Sequence, residues 1–191
     1  MQGVLLVLLS FLIGSIPFSY IVSHYVGGVD IRATGSGNVG ATNVMRNLGI
    51  KVALLAFTLD LLKGFVAAWI GFNFGSPWLV LLCPAAAIIG HCYPIFLKFK
   101  GGKAVATTAG IVLYLSPWIF IILVLAFLAV VFISRYVSLG SVVIASLLPF
   151  MGILFHYDIK IVLLYFLAAV FVLIRHRENI IRLRQGNESK I

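Results

Sequence analysis

Long apolar stretches alternate with short polar ones along this chain, and their lengths predict helices that cross a lipid bilayer. The apolar runs are residues 4–26, 52–74, 77–97, 104–133, 138–155 and 159–174. An upright span needs about 20 apolar residues, and shorter segments cross where protein covers their ends. The run 104–133 is thirty residues long and carries Ser116-Pro117 near its middle. Taken whole it gives six spans with both chain ends on one side; split there, it gives seven. Serine at an N-cap with proline at the first helical position starts a helix well, and Ser-Pro-Trp also occurs at 76–78. In the polar segment 27–50 a short helix is expected over 41–48, capped by a glycine loop.

Charge decides between six spans and seven. With the N-terminus outside and seven spans, one face receives twelve of the fourteen lysines and arginines; only Lys160 lies opposite, and Lys63 falls inside a span. Six spans would separate the basic tail, 175–191, from the basic loops. Cytoplasmic loops concentrate lysine and arginine, so the pattern predicts an all-α polytopic membrane protein of seven transmembrane helices, some short or tilted, with a cytoplasmic C-terminus. Trp78 and Trp118 then lie at the outer interface, as an aromatic belt requires. Composition agrees: 62% of the 191 residues are hydrophobic and 10% are charged, too apolar a surface for water to solvate. Residues 1–191 read as one membrane-integral domain. The start, Met-Gln-Gly, lacks the basic region of a secretory signal and reads as part of a retained first span. Cys83 and Cys92 read as buried free thiols.

Polar chemistry gathers on the basic face. Thr34-Gly35-Ser36-Gly37-Asn38-Val39-Gly40-Ala41-Thr42-Asn43 combines glycines, hydroxyls and amides ahead of a helix start. Glycines let successive N–H groups converge on one point, a concavity suited to phosphate; the other reading is a mobile connector. The letters GxGxxG occur here, but no strand precedes them, so a dinucleotide fold is excluded. Gly101-Gly102-Lys103 lacks the first glycine and the final Ser/Thr of a nucleotide P-loop, having Leu97 and Ala104 there, yet two glycines and a lysine opening a helix still suit a phosphate. Asp60 and Lys63 share a helical face roughly 12–16 Å into the second span, which leaves two readings: an ion pair locking helices, or a substrate role for Lys63. His91 reads as a histidine satisfied by a neighbouring helix. Arg175-His176-Arg177-Glu178-Asn179 ends the last span, and His176 and Asn179 can share a face toward the glycine loop.

This inventory of Arg46, Lys63, Lys103 and the Arg-His-Arg cluster exceeds what one phosphate needs and points to two anionic groups in one pocket. Carboxylates are almost absent on that face, which argues against a divalent metal and against paired-acid chemistry. No His-x4-Asp acyltransferase signature and no Gly-x-Ser-x-Gly elbow occurs.

Ser36 to Asn43, Lys100 to Thr107, and His176 to Ile180 resemble the three cytoplasmic motifs of the bacterial acyl-phosphate:glycerol-3-phosphate acyltransferases. Gly14-Ser15-Ile16-Pro17-Phe18-Ser19 and Asp60-Leu61-Leu62-Lys63-Gly64 are similar to that family too. The resemblance implies a multi-pass enzyme of the bacterial inner membrane whose active site faces the cytoplasm. It would move a fatty acyl group from acyl phosphate to the 1-hydroxyl of glycerol 3-phosphate, giving lysophosphatidic acid and phosphate, the first acylation of phospholipid synthesis. No cofactor, metal, nucleic acid or obligate protein partner is implied; the partners are the two substrates and the bilayer. On this reading Gly35, Ser36, Gly37, Asn38, Gly40, Thr42 and Asn43 hold the acyl phosphate, and Arg46, Lys63, Lys103, Arg175, His176 and Asn179 hold glycerol 3-phosphate. Ser36, Asn38 and His176 are the catalytic candidates. His176 or a donor phosphate oxygen takes the hydroxyl proton, and transfer is direct unless Ser36 forms an acyl-enzyme. An organophosphate transporter or exchanger built on the same basic cavity is the alternative, followed by an intramembrane serine hydrolase.

Overall fold

A computed structural model describes residues 1–74 and 76–191, and every regular element among them is helical. The first apolar run forms two helices, α1 (Gln2–Ser15) and α2 (Phe18–Tyr25), rather than one. Pro17 donates no N–H and disfavours a helical Ile16, which is extended at ψ 117°. The break frees the Ile16 carbonyl, and Lys63 Nζ donates to it at 2.9 Å. The expected short helix is α3 (Ala41–Leu48), entered from an extended Gly40. Then come α4 (Ile50–Asn73), α5 (Leu79–Cys92) with a 3-10 turn at Ile95–Leu97, α6 (Val105–Leu115), α7 (Pro117–Ser134), α8 (Val137–Leu154), α9 (Ile159–Arg175) and α10 (Arg177–Arg184).

Among the described residues, five helical stretches are long and apolar enough to cross a membrane: Gln2–Tyr25, Ile50–Asn73, Leu79–Leu97, Pro117–Ser134 and Val137–Leu154. A sixth arises if α9 and α10 count as one span bent by 59°, and α6 is apolar but shorter. Lipid as solvent is visible in α7 and α8, where Leu125, Phe132 and Phe150 point outward more than 60% exposed. The thirty-residue run does split at Ser116-Pro117. Ser116 does not cap α7 with its side chain, however; its hydroxyl meets the Tyr165 hydroxyl of α9 at 2.5 Å. The other Ser-Pro-Trp forms a turn, closed by Leu79 N–H donating to the Ser76 carbonyl, and α5 begins only at Leu79.

Helix α5 packs against α1, α4 and α9, and α4 also packs along α6. Between helices in lipid the attraction comes largely from close van der Waals contact. Gly64 and Gly110 provide it reciprocally, since a Cβ on Gly64 would fall on the Thr107 carbonyl and one on Gly110 on the Leu61 carbonyl. The core of α6, α7, α8 and α9 closes around Ile111, Ile119, Leu148, Leu164 and Tyr165, all buried.

At the basic end the connecting segments bind one another. Arg175 reaches the 98–104 loop, Arg46 of α3 reaches the Ser189 carbonyl, and Ile191 N–H donates to the Arg135 carbonyl. The tail thus folds back as α10 and a strap across this end.

Candidate active site

The glycine loop is tied together by hydrogen bonds from within. Gly35 and Gly37 hold φ of +57° and +67°, which residues with a Cβ rarely adopt. Asn43 is 1% exposed and organises the loop from inside. Its Nδ2 donates to the Ile31, Thr34 and Asn38 carbonyls at 3.0–3.1 Å, and its Oδ1 accepts the Ser36 N–H at 3.1 Å and Asn47 Nδ2 at 3.2 Å. Asn43 is therefore a scaffold residue, fully committed, and has no group left for a ligand. The expected nest of N–H donors is also smaller than the glycine spacing suggests. Gly37 N–H donates to Thr34, Gly40 N–H to Asn38, and Asn43 N–H to Gly40. The N–H groups of Gly35, Asn38, Val39 and Thr42 make no bond within the chain among the described residues. Ser36 is exposed at the tip, with Asn38 and Thr42 half-buried behind it.

The second motif is bound from below. Gly101 N–H donates to the Cys92 carbonyl at 3.2 Å and Gly102 N–H to the His91 carbonyl at 3.1 Å, so neither is free for a phosphate. A Cβ on Gly102 would fall against His91 Nε2 and within 2.6 Å of the Val39 carbonyl. Glycine is thus what lets the two loops touch. From above, Arg175 donates Nε to the Gly102 carbonyl at 3.0 Å and NH2 to the Gly101 carbonyl at 2.8 Å. Arg175 is a clamp on this loop, and its guanidinium also lies over the Tyr93 ring. Both departures from expectation arise because short loops satisfy their own backbone groups first.

Lys63 takes the ion-pair reading. Its Nζ lies 2.7 Å from Asp60 Oδ1, with both side chains no more than 3% exposed. Ser19 donates to Asp60 Oδ2 at 2.7 Å. His91 lies 3.7 Å from Asp60, and its Nδ1 is 3.1 Å from Thr107 Oγ1. This network ties α2, α4, α5 and α6 together under the loops. It lines a cleft of about 190 Å³ that also touches Val39, Gly101 and Gly102.

What remains available to a substrate is the cluster around Lys103. Lys103 Nζ donates to Asn179 Oδ1, and Asn179 Nδ2 donates to Glu188 Oε1 at 2.7 Å. Arg182 Nε donates to the other oxygen, Oε2, at 2.7 Å. His176, 4% exposed, is held by Nδ1 against the Val172 carbonyl at 2.8 Å. A carbonyl can only accept, so Nδ1 carries the proton and Nε2 is left as an acceptor. Burial pushes the Lys103 ammonium down to about 8, against the opposing pull of Glu188. Burial alone would raise the Glu188 carboxyl, but hydrogen bonds from Asn179 and Arg182 hold it below its ordinary value. Arg46 is exposed at the rim.

Glu188 is the residue that sequence reading misses. It lies eight residues beyond the last motif, in a segment that reads as basic tail. Only its burial, at 7% exposed in an otherwise exposed strap, marks it.

An apolar cleft of about 650 Å³ opens between α4, α6, α7, α8 and α9, lined by Phe57, Val112, Phe120, Phe127, Ile144 and Leu148 among others. It also reaches Val105, two residues after Lys103, and Val172, whose carbonyl holds His176. Thr108 and Ser141 are its hydroxyl-bearing lining residues. Among the described residues no group of three His, Cys, Asp or Glu side chains could hold a metal ion.

The chain is similar to known proteins over nearly its whole length. The glycerol-3-phosphate acyltransferase family model matches residues 4–186. A protein of Syntrophomonas wolfei named glycerol-3-phosphate acyltransferase is 53% identical over 191 residues, covering 100% of this chain and 98% of that one. Glycerol-3-phosphate acyltransferase 2 of Moorella thermoacetica is 48% identical, covering 98% and 96%. Among solved structures, PlsY (YgiH), an integral membrane glycerol 3-phosphate acyltransferase, superposes in its glycerol 3-phosphate form with a TM-score of 0.95 at 38% identity, covering 100% of this chain and 96% of that one. Its lysophosphatidic acid form gives 0.93 at the same identity. With sequence, length and backbone agreeing over nearly all residues, this chain belongs to the glycerol-3-phosphate acyltransferase family.

Proposed function

We propose that this protein acylates glycerol 3-phosphate at its 1-hydroxyl, with acyl phosphate as donor and lysophosphatidic acid and phosphate as products. The observation that carries the reading is that the apolar cleft is lined by Val105, two residues after Lys103, and by Val172, whose carbonyl holds His176. A fatty acyl phosphate has an anionic head and a lipid tail, and the two halves of the site match those two halves. The relatives' names and the two ligand forms of PlsY support the acceptor and the product.

In this reading Lys103 and Arg46 neutralise the phosphates, helped by the free N–H groups of Gly35, Asn38 and Thr42 and by the Ser36 and Asn38 side chains. Lys63, Arg175 and Asn43 support the site from behind and touch no substrate. His176 Nε2 accepts from the 1-hydroxyl and orients it. The hydroxyl oxygen attacks the acyl carbonyl carbon, forming the ester C–O bond. The bond from that carbon to the phosphate oxygen breaks, and the hydroxyl proton leaves on the released phosphate. Phosphate is a good leaving group, so the transfer is direct and Ser36 carries no acyl group. Aligning the hydroxyl and stabilising the developing charge are the protein's contributions.

The same reading takes residues 1–191 as one domain with seven membrane crossings, α6 being the short one. The N-terminus is outside and the basic end with the site is cytoplasmic, in the bacterial inner membrane. Positive-inside asymmetry supports this.

The test is purified protein in detergent given acyl phosphate and labelled glycerol 3-phosphate. Labelled lysophosphatidate forming with one phosphate released per acyl transferred is the expected result. No product, together with uptake of glycerol 3-phosphate into liposomes, overturns the reading in favour of a transporter. Trapping an acylated Ser36 overturns direct transfer.

A further inference from the structure

The strap 185–191 brings one carboxylate into a cluster otherwise made of cations and amides. It is held in place at several points. Asn187 N–H donates to the Arg182 carbonyl at 2.9 Å, Arg46 NH2 to the Ser189 carbonyl at 2.8 Å, and Ile191 N–H to the Arg135 carbonyl at 3.0 Å. Glu188 is therefore delivered to one position, with its oxygens divided between Asn179 and Arg182.

An asparagine amide is nearly symmetric in shape and can present either its oxygen or its NH2 to a neighbour. Lysine donates only, so only the oxygen of Asn179 suits Lys103. An ionised carboxylate accepts only, so it takes the NH2 and forces the oxygen toward Lys103. We infer that Glu188 is a positioning residue of the active site: by fixing the Asn179 amide it aims the Lys103 ammonium at the substrate phosphate. The inference rests on the reading of Lys103 as a phosphate-binding group, and it makes the C-terminal strap part of the catalytic apparatus.

Lys103 faces Glu188 on the strap, Arg182 and Glu178 on α10, Arg175 at the end of α9, and His176 at the α9–α10 break. Its ammonium titrates at about 8, so kcat/KM for glycerol 3-phosphate falls as pH rises through that value. Glu188 holds the proton on, and Arg182 pushes it off. The test follows kcat/KM for glycerol 3-phosphate against pH in wild type, Lys103→Arg, Glu188→Gln and Arg182→Gln. Lys103→Arg identifies the limb by abolishing it, because guanidinium does not titrate there. Glu188→Gln moves the limb down by about half to one pH unit, and Arg182→Gln moves it up by a similar amount. At pH 9 the first change reads as a roughly three- to tenfold loss. A purely structural role for Glu188 shifts neither limb, or lowers both rates at every pH alike. If both limbs stay at the wild-type pH, or both move the same way, the inference is overturned. Should Glu188→Gln fail to fold, Glu188→Asp decides: it keeps the charge but draws the carboxylate back from the Asn179 amide, so the limb moves down, and a limb left at the wild-type pH overturns the inference. Wild type lacking acyltransferase activity would sink the functional reading instead, which keeps the two failures distinct.

Discussion

Replacing Lys63 by methionine separates the two roles open to this residue. Lys63 and Asp60 face each other at 2.7 Å, no more than 3% exposed, and Lys63 also holds the Ile16 carbonyl freed by Pro17. In Lys63→Met the Asp60 carboxylate keeps Ser19 but loses its counter-charge while remaining buried. Removing one partner of a buried ion pair costs about 3–5 kcal/mol. The orphaned Ile16 carbonyl adds about 1 kcal/mol or more. For a chain of this length each kcal/mol moves the melting point by about 2–4 °C, so a fall of about 10 °C is expected. Cys83 and Cys92 are free and buried, so a thiol-reactive fluorophore added to protein in detergent reports unfolding directly. The double variant Asp60→Asn, Lys63→Met removes both charges and recovers at least half of the loss, because replacing a whole buried pair is often nearly neutral. Folded Lys63→Met retains a KM for glycerol 3-phosphate within about threefold of wild type, since less than a kcal/mol of binding is at stake. A melting point within about 2 °C of wild type, together with a KM raised tenfold or more, refutes this account and returns Lys63 to the phosphate.

Two further changes probe other parts of the structure. Tyr165→Phe deletes the hydroxyl that meets Ser116 at the α6–α7 corner and leaves a buried serine unpaired, so the protein loses about 1–3 kcal/mol by thermal unfolding while kcat stays within about twofold. Ala109→Phe narrows the apolar cleft beside Val105 and Thr108; activity toward palmitoyl phosphate falls about tenfold or more while octanoyl phosphate is little affected. A uniform loss across chain lengths in competition assays counts against the cleft as the acyl-chain site.

Much of the fold was legible because membrane insertion imposes a coarse code. The apolar runs mark α4, α8 and α9 to within two residues at each end, and Ser116-Pro117 divides the long run where the chain divides. Local stereochemistry also places α3 at Ala41–Leu48. Pro17 carried a signal too, but the first run was long enough to mask it. The site was legible as a set of residues more than as roles. Asn43, Arg175 and Lys63 belong to the neighbourhood, yet each is committed to holding structure. Residue type records what a side chain can donate; only three-dimensional neighbours decide what it does donate to.

The sequence by itself determined that the chain lives in lipid, that its longest apolar run divides at Ser116-Pro117, and that its basic loops share one end, because these follow from apolar length, proline stereochemistry and charge asymmetry along the chain. Only the tertiary structure decided that Glu188, 85 residues further along the chain, comes back to complete a cluster with Lys103. It likewise decided that the Gly101-Gly102 amides face inward to α5 instead of toward a ligand. Contacts between residues far apart in the chain depend on how helices pack, and one-dimensional periodicity carries no record of that.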